Sequence, residues 1–162
     1  MTRQSAVLVT ASDSLMRTME RAGNTVGLRL RCVATVDEAV RCAQRSEAED
    51  ADGPEFGYLI LLDLTAGSQL TADEALGAVR SLTAETPSQV IALLPAGEMS
   101  TLSTRLCDSL DDLIDPADTE LLGIRLRLAC SRLKELRFVV HERNFYRHAA
   151  KQEEIVSSQI VE

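Results

Sequence analysis

The sequence predicts an α/β protein: a doubly wound five-stranded parallel sheet with a long C-terminal helix that extends as a coiled coil. Three observations lead there. Short apolar runs alternate with amphipathic helical stretches through the first 130 residues. The strongest of those runs are apolar throughout, as strands covered on both faces are. Residues 124–162 then contain neither Gly nor Pro, so nothing in that stretch breaks a helix.

The elements follow in order. Ala6–Thr10 is the first strand. Ser12 or Ser14 can cap the next helix, with Leu15, Met16, Met19 and Ala22 on its apolar side and Gly23 as its stop. Val26–Ala34 is the second strand. Thr35 and Glu38 form a capping box opening a helix that turns Ala39, Val40 and Ala43 inward. Residues 47–57 are an acidic Gly/Pro-containing loop, expected to be solvated. Tyr58–Leu62 is the clearest buried strand and runs into Asp63. Thr71 and Glu74 make a second capping box, for a helix through Leu82. Gln89–Leu94 is the fourth strand, closed by Pro95. A weaker helix at Ser100–Ser109 leads to a short strand at Asp112–Ile114, and Asp118 or Thr119 caps the last helix.

That helix, if continuous from Ile124 to Glu162, is roughly 58 Å long at about 1.5 Å per residue. Ala129, Leu133, Leu136 and Val140 repeat with the 4-3-4 spacing of a coiled-coil seam. Asn144 and Arg147 break the phase, and Phe145, Ala149, Gln152 and Val156 offer a shifted one. Most helical stability in proteins comes from packing an apolar face, so the seam is expected to join two copies; the spacing leaves their relative direction open. The domain boundary falls at residues 131/132. The region 132–162 is a linker helix expected to lead to an output domain beyond this sequence.

Composition narrows the function. Net charge is −8 over 162 residues, which opposes a phosphate-backbone footprint. Aromatics make up 3% and Trp is absent, so no stacking surface for single strands is expected. Residues 1–124 carry 9 Lys/Arg and 20 Asp/Glu; residues 125–162 carry 8 and 5. Neither nucleic acid nor a membrane is an expected partner. No targeting segment or membrane-length apolar run is visible. Cys32, Cys42, Cys107 and Cys130 are widely spaced without a CxxC pair, as in a cytoplasmic protein with reduced, mostly buried thiols. No GxGxxG, P-loop, GxSxG or HExxH motif occurs, and no enzymatic activity is expected.

In sheets of this kind the functional crevice lies at the carboxyl ends of the strands, where Asp63 falls. The order of elements resembles the response-regulator receiver domain over roughly residues 5–131. The parts that carry the resemblance are Val7-Leu8-Val9-Thr10 leading to Asp13-Ser14-Leu15-Met16-Arg17, then Leu59-Ile60-Leu61-Leu62-Asp63-Leu64, then Asp111-Asp112-Leu113-Ile114 before Pro116. The resemblance implies the flavodoxin-like receiver fold, Asp63 as phosphoacceptor, and magnesium held by an acidic pair after the first strand. It also implies a hydroxyl after the fourth strand and a lysine after the fifth, both on the phosphoryl oxygens.

Most of that set is absent. The acidic pair falls on Ala11 and Ser12, with only the neighbouring Asp13 acidic; Asp13 and Asp63 remain the candidate metal ligands. The hydroxyl position falls on Leu94 and the lysine position on Asp115. No Lys occurs before Lys134. Ala66-Gly67-Ser68 lacks the usual proline of the loop after the phosphoacceptor. A phosphorylated aspartate concentrates negative charge that cations must offset, and an aspartate in the lysine's place opposes it.

The expected function is therefore a receiver-like signalling module that has lost phosphorylation. It acts by dimerisation, pictured as a parallel pair, and by conformational coupling to a linked output domain or a signalling partner protein. The alternative is a working phosphoaccepting receiver that uses Asp63. No cofactor is expected, with magnesium entering only if Asp63 is phosphorylated. His141-Glu142-Arg143-Asn144 weakly resembles a histidine-kinase phosphoacceptor box, but reads better as a solvated helix face. His141 and His148, seven apart, do not match the i, i+4 spacing of a helical metal site.

Overall fold

A computed structural model describes residues 4–39, 41–42, 58–65, 70–83 and 88–161. The chain runs β1 (Gln4–Val9), α1 (Asp13–Val26), β2 (Leu28–Val33), α2 (helical residues 36–39 and 41–42), β3 (Tyr58–Asp63) and α3 (Ala72–Thr83). It continues through β4 (Ser88–Leu93), a 3-10 segment (Ala96–Thr101), α4 (Thr104–Ser109), β5 (Asp112–Ile114) and α5 (Thr119–Val161). The strand order is β2-β1-β3-β4-β5, and every neighbouring pair is parallel. This is the doubly wound sheet expected from the sequence.

The strands alternate between two apolar layers, because successive side chains leave opposite faces. Ala6, Leu8, Leu59, Leu61, Ile91 and Leu93 point to the layer covered by α1 and α5. Val7, Val9, Ile60, Leu62 and Val90 point to the other, with Ala39 of α2, Ala75 of α3 and Leu106 of α4. β3 and β4 lie inside the sheet and are buried along both faces, which is why their sequences read as unbroken apolar runs.

The first helix ends later than Gly23. Gly23 is buried in α1, and a Cβ there would meet the Leu28 side chain at 3.4 Å. Gly27 closes the helix instead, at φ 78°, its N–H bonded to the carbonyls of Asn24 and Gly23. Val26, expected in β2, therefore belongs to α1. The helix expected at Ser100–Ser109 is two pieces, a 3-10 segment and a separate α4 capped by Ser103, whose hydroxyl accepts from the Leu106 amide at 3.3 Å.

The caps are largely as expected. Ser12, not Ser14, caps α1 through the Leu15 amide at 3.3 Å. The hydroxyls of Thr35 and Thr71 accept from the amides of Glu38 and Glu74 at 3.2 Å each. Glu38 reaches back to the Ala34 amide at 3.1 Å rather than to that of Thr35. Asp118 caps α5 through the Leu121 amide at 3.1 Å. The loop 47–57, the Ala66-Gly67-Ser68 segment, Val40 and Ala43 lie outside the described residues.

α5 is one helix of 43 residues, roughly 64 Å long. Its first third docks on the sheet. Leu122, Leu126, Ala129 and Leu133 are fully buried in the core with α1. This corrects the expected coiled-coil seam: Ala129 and Leu133 are core residues of the domain itself. The core also reaches Leu133, two residues past the expected boundary. The reason is geometric, since a helix lying on a sheet and a helix in a coiled coil both repeat apolar residues every three or four positions. Leu136 is exposed at 37%, and the side chain of Val140 lies outside the described residues.

No disulfide joins the four cysteines, and each is half-buried rather than buried. The Cys32 thiol is pushed above its ordinary 9.0, first by burial and then by the charge of Glu20.

Candidate functional site at the ends of β1, β3, β4 and β5

Asp63 ends β3, in register one position beyond the Val9–Leu62 pair, which sets it level with Thr10. The Thr10 hydroxyl donates to Asp63 Oδ2 at 2.6 Å. Thr65 donates to Oδ1 twice, from its amide at 3.0 Å and from its hydroxyl at 2.5 Å. The Thr10 hydroxyl oxygen in turn accepts the Ser12 amide at 3.0 Å. Asp63 is only 2% exposed, and Thr10 is 3% exposed. The carboxylate is thus the centre of a local network tying the β1–α1 turn to the β3 end, with charge-assisted bonds from hydroxyls and an amide.

Around it the expected phosphoryl-site positions do other work. Ala11 is exposed and has no polar side chain. Ser12 is spent on capping α1. Asp13 is exposed in the first turn of α1, where a negative charge suits the helix dipole. Leu94 is buried at 1%. Asp115 turns both oxygens onto backbone amides: Oδ2 accepts from Ala96 at 3.1 Å and Oδ1 from Ala117 at 2.9 Å. It ties the loop after β4 to the loop after β5.

These donors do not fit a hard divalent cation. Magnesium takes oxygen ligands in a near-octahedral set. Here one carboxylate is exposed and the other is buried and engaged by threonines. Among the described residues no group of three His, Cys, Asp or Glu side chains comes together.

Two residues of this site, Thr10 and Thr65, were not singled out by the sequence. The signal for Thr10 lay in the strand register. A polar residue just past one parallel strand meets the polar residue just past its neighbour when their registers match, as those of Val9 and Leu62 do.

Beside this site, at the sheet edge, lies an open cavity of about 590 Å³ between α4, β5 and α5, walled by Leu110, Asp112, Asp115, Leu121 and Arg125 among others. Arg125 Nη1 reaches Asp112 Oδ1 at 2.9 Å and the Leu113 carbonyl at 2.6 Å. Arg132 comes within 3.8 Å of Asp112 Oδ2. The His148 ring pairs with Gln152 at 3.2 Å on exposed helix surface, and the side chain of His141 lies outside the described residues. Among the described residues no helix is long and apolar enough to cross a membrane.

No family model matches the sequence and no curated protein matches it. Solved structures do. The signal receiver domain of a candidate Luxo repressor from Vibrio parahaemolyticus aligns at TM-score 0.64 and 21% identity, over 85% of this chain and 98% of that one. The receiver domain of a sensor histidine kinase from Pseudomonas aeruginosa, with magnesium coordinated in its active-site cleft, aligns at 0.60 and 21%, over 80% and 99%. A fusion carrying a yeast trimeric coiled coil aligns at 0.61 and 16%, over 100% and 99%. The first 130 residues of this chain thus have the fold of response-regulator receiver domains, continued by a long C-terminal helix.

Proposed function

We propose that the chain is a regulatory signalling module: a receiver-fold domain that does not take up a phosphoryl group and acts by dimerisation and by coupling through α5 to an output domain or partner protein. The observation that carries the first part is Asp63 itself. It is 2% exposed, with Thr10 and Thr65 on its two oxygens. A phosphoacceptor oxygen must be free for in-line attack and needs positive charge near the product. At the positions that would supply that support stand Leu94 and an aspartate already committed to two amides.

No catalytic role is assigned to any residue, no cofactor is required, and the reading carries with it a cytoplasmic location. The test is intact-mass spectrometry after treatment with acetyl phosphate and magnesium. The expected result is no phosphoryl adduct. An adduct that disappears in Asp63→Asn would establish the alternative, a phosphoaccepting receiver.

A further inference from the structure

The face of α5 turned away from its own domain carries a second stripe. Leu121, Ile124, Leu128, Phe138 and Phe145 follow alternating steps of three and four, with Ser131, Glu135 and Glu142 filling the intervening positions. Phe138 and Phe145 are 67% and 66% exposed, and Ile124 and Leu128 more than half. Val139 and Tyr146 flank them, also mostly exposed. Covering the three aromatics alone would remove roughly 300–500 Å² per copy. The exposed Leu, Ile and Val side chains add a comparable area, which brings the stripe to the order of 800 Å² per partner, the amount found in a stable interface.

We infer that this stripe is the seam with a second copy of the chain, and that the two α5 helices run antiparallel, centred near residue 133. The inference rests on the dimer proposed above and gives it a surface and a direction. Two features of the stripe select the direction. Its first half is aliphatic and its second half aromatic. An antiparallel pair centred there seats Leu121 on the partner's Phe145 and Leu128 on the partner's Phe138. The same register sets Ile124 opposite the partner's Glu142 and Ser131 opposite the partner's Glu135.

Charge selects the same arrangement. In a parallel pair each seam glutamate would face its own copy at the same level, two like-charge contacts in a desolvated seam. In the antiparallel register Glu135 lies beside the partner's Lys134 and Glu142 beside the partner's Arg127. Residues 1–124 carry a net −11 and residues 134–147 a net +2. An antiparallel pair draws the two acidic domains to opposite ends and lays each beside the basic stretch of the other; a parallel pair sets the acidic domains side by side.

The test is spin-label distance measurement on the full chain with its four cysteines replaced by serine. A label at Ser131, close to the centre, is expected to report a short distance between copies in either direction and serves to show the dimer. A label at Glu153 separates the directions. The antiparallel register sets two such labels roughly 60 Å apart along the axis; a parallel pair sets them within roughly 30 Å, helix spacing plus two label tethers. A short distance at both sites overturns the inference and leaves the dimer standing. No dipolar signal at either site overturns both. Leu128→Asp, at an exposed position, is expected to raise the dimer dissociation constant at least tenfold by sedimentation while leaving the far-ultraviolet circular dichroism unchanged; an unchanged constant overturns the seam.

Discussion

Thr10 shows how much a single hydroxyl can hold in place. It donates to a buried carboxylate and accepts from the start of the next helix. In Thr10→Val the shape is kept but the donor is lost, and Asp63 Oδ2 loses that partner. The expected cost is about 1–3 kcal/mol in urea unfolding, with a larger loss than the same change at an exposed threonine such as Thr25. Asp115 makes a related point. Asp115→Lys supplies the side chain that the receiver resemblance implies, yet it removes the acceptor of two loop amides. It is expected to destabilise by about 1–2 kcal/mol and to leave acetyl phosphate labelling absent, because Leu94 and the missing acidic pair remain. Labelling restored by this one change would show that the lysine alone had been limiting. Cys32 adds a pH dependence. Its thiol favours the protonated form in the fold more than in the unfolded chain, so its contribution is present below the ordinary value and is lost as pH rises through the raised one. Urea midpoints are expected to fall as pH rises past 9.0, and to fall less in Cys32→Ser. At this scale the sequence was partly legible. Asp63, Asp115 and Leu94 could be assigned to positions, since strand ends are marked by Pro and Asp. The bonds of Thr10 and Thr65 could not, because they depend on which strands lie side by side.

Secondary structure was more open to reading than its stopping points were. All five strands stand where apolar runs announced them, and Thr35, Thr71 and Asp118 each cap a helix. Gly23 misled because glycine has two uses: here it allows a close approach to Leu28, and the left-handed turn belongs to Gly27 four residues on. α5 misled for a different reason. Its domain-facing stripe and its outward stripe both have coiled-coil spacing, and one helix cannot reveal which of two such stripes meets its own sheet. A pair of substitutions separates them. Leu133→Ala opens a cavity in the core and is expected to cost about 2–5 kcal/mol. Leu128→Ala, on the exposed side, is expected to stay within about 0.5 kcal/mol when measured at dilutions where the chain is monomeric. Equal losses at the two sites would mean that α5 sits differently on the sheet.

The whole molecule is an acidic domain with a mildly basic rod. Docking of α5 ends at Leu133 in the core, so about 28 of its residues, roughly 42 Å, run past it. A chain ending at Leu136 is expected to keep every core residue and fold. By sedimentation it is expected to be a monomer, since Phe138 and Phe145 are gone. A dimer of that shortened chain would show that residues 137–161 are not needed for the contact. The unequal charge of the two parts was plain from counting; that the rod presents two stripes, one to its own sheet and one outward, needed the packing.

Finally, the border of the sheet at β5 is shut by its own side chains. The Leu113 amide is taken by Asp112 Oδ1 at 2.9 Å and its carbonyl by Arg125. The middle residue of this three-residue strand therefore offers an incoming chain no free donor, and its carbonyl is already engaged. Recognition by strand addition has no purchase there. On this edge the same two contacts oppose edge-to-edge pairing with another sheet.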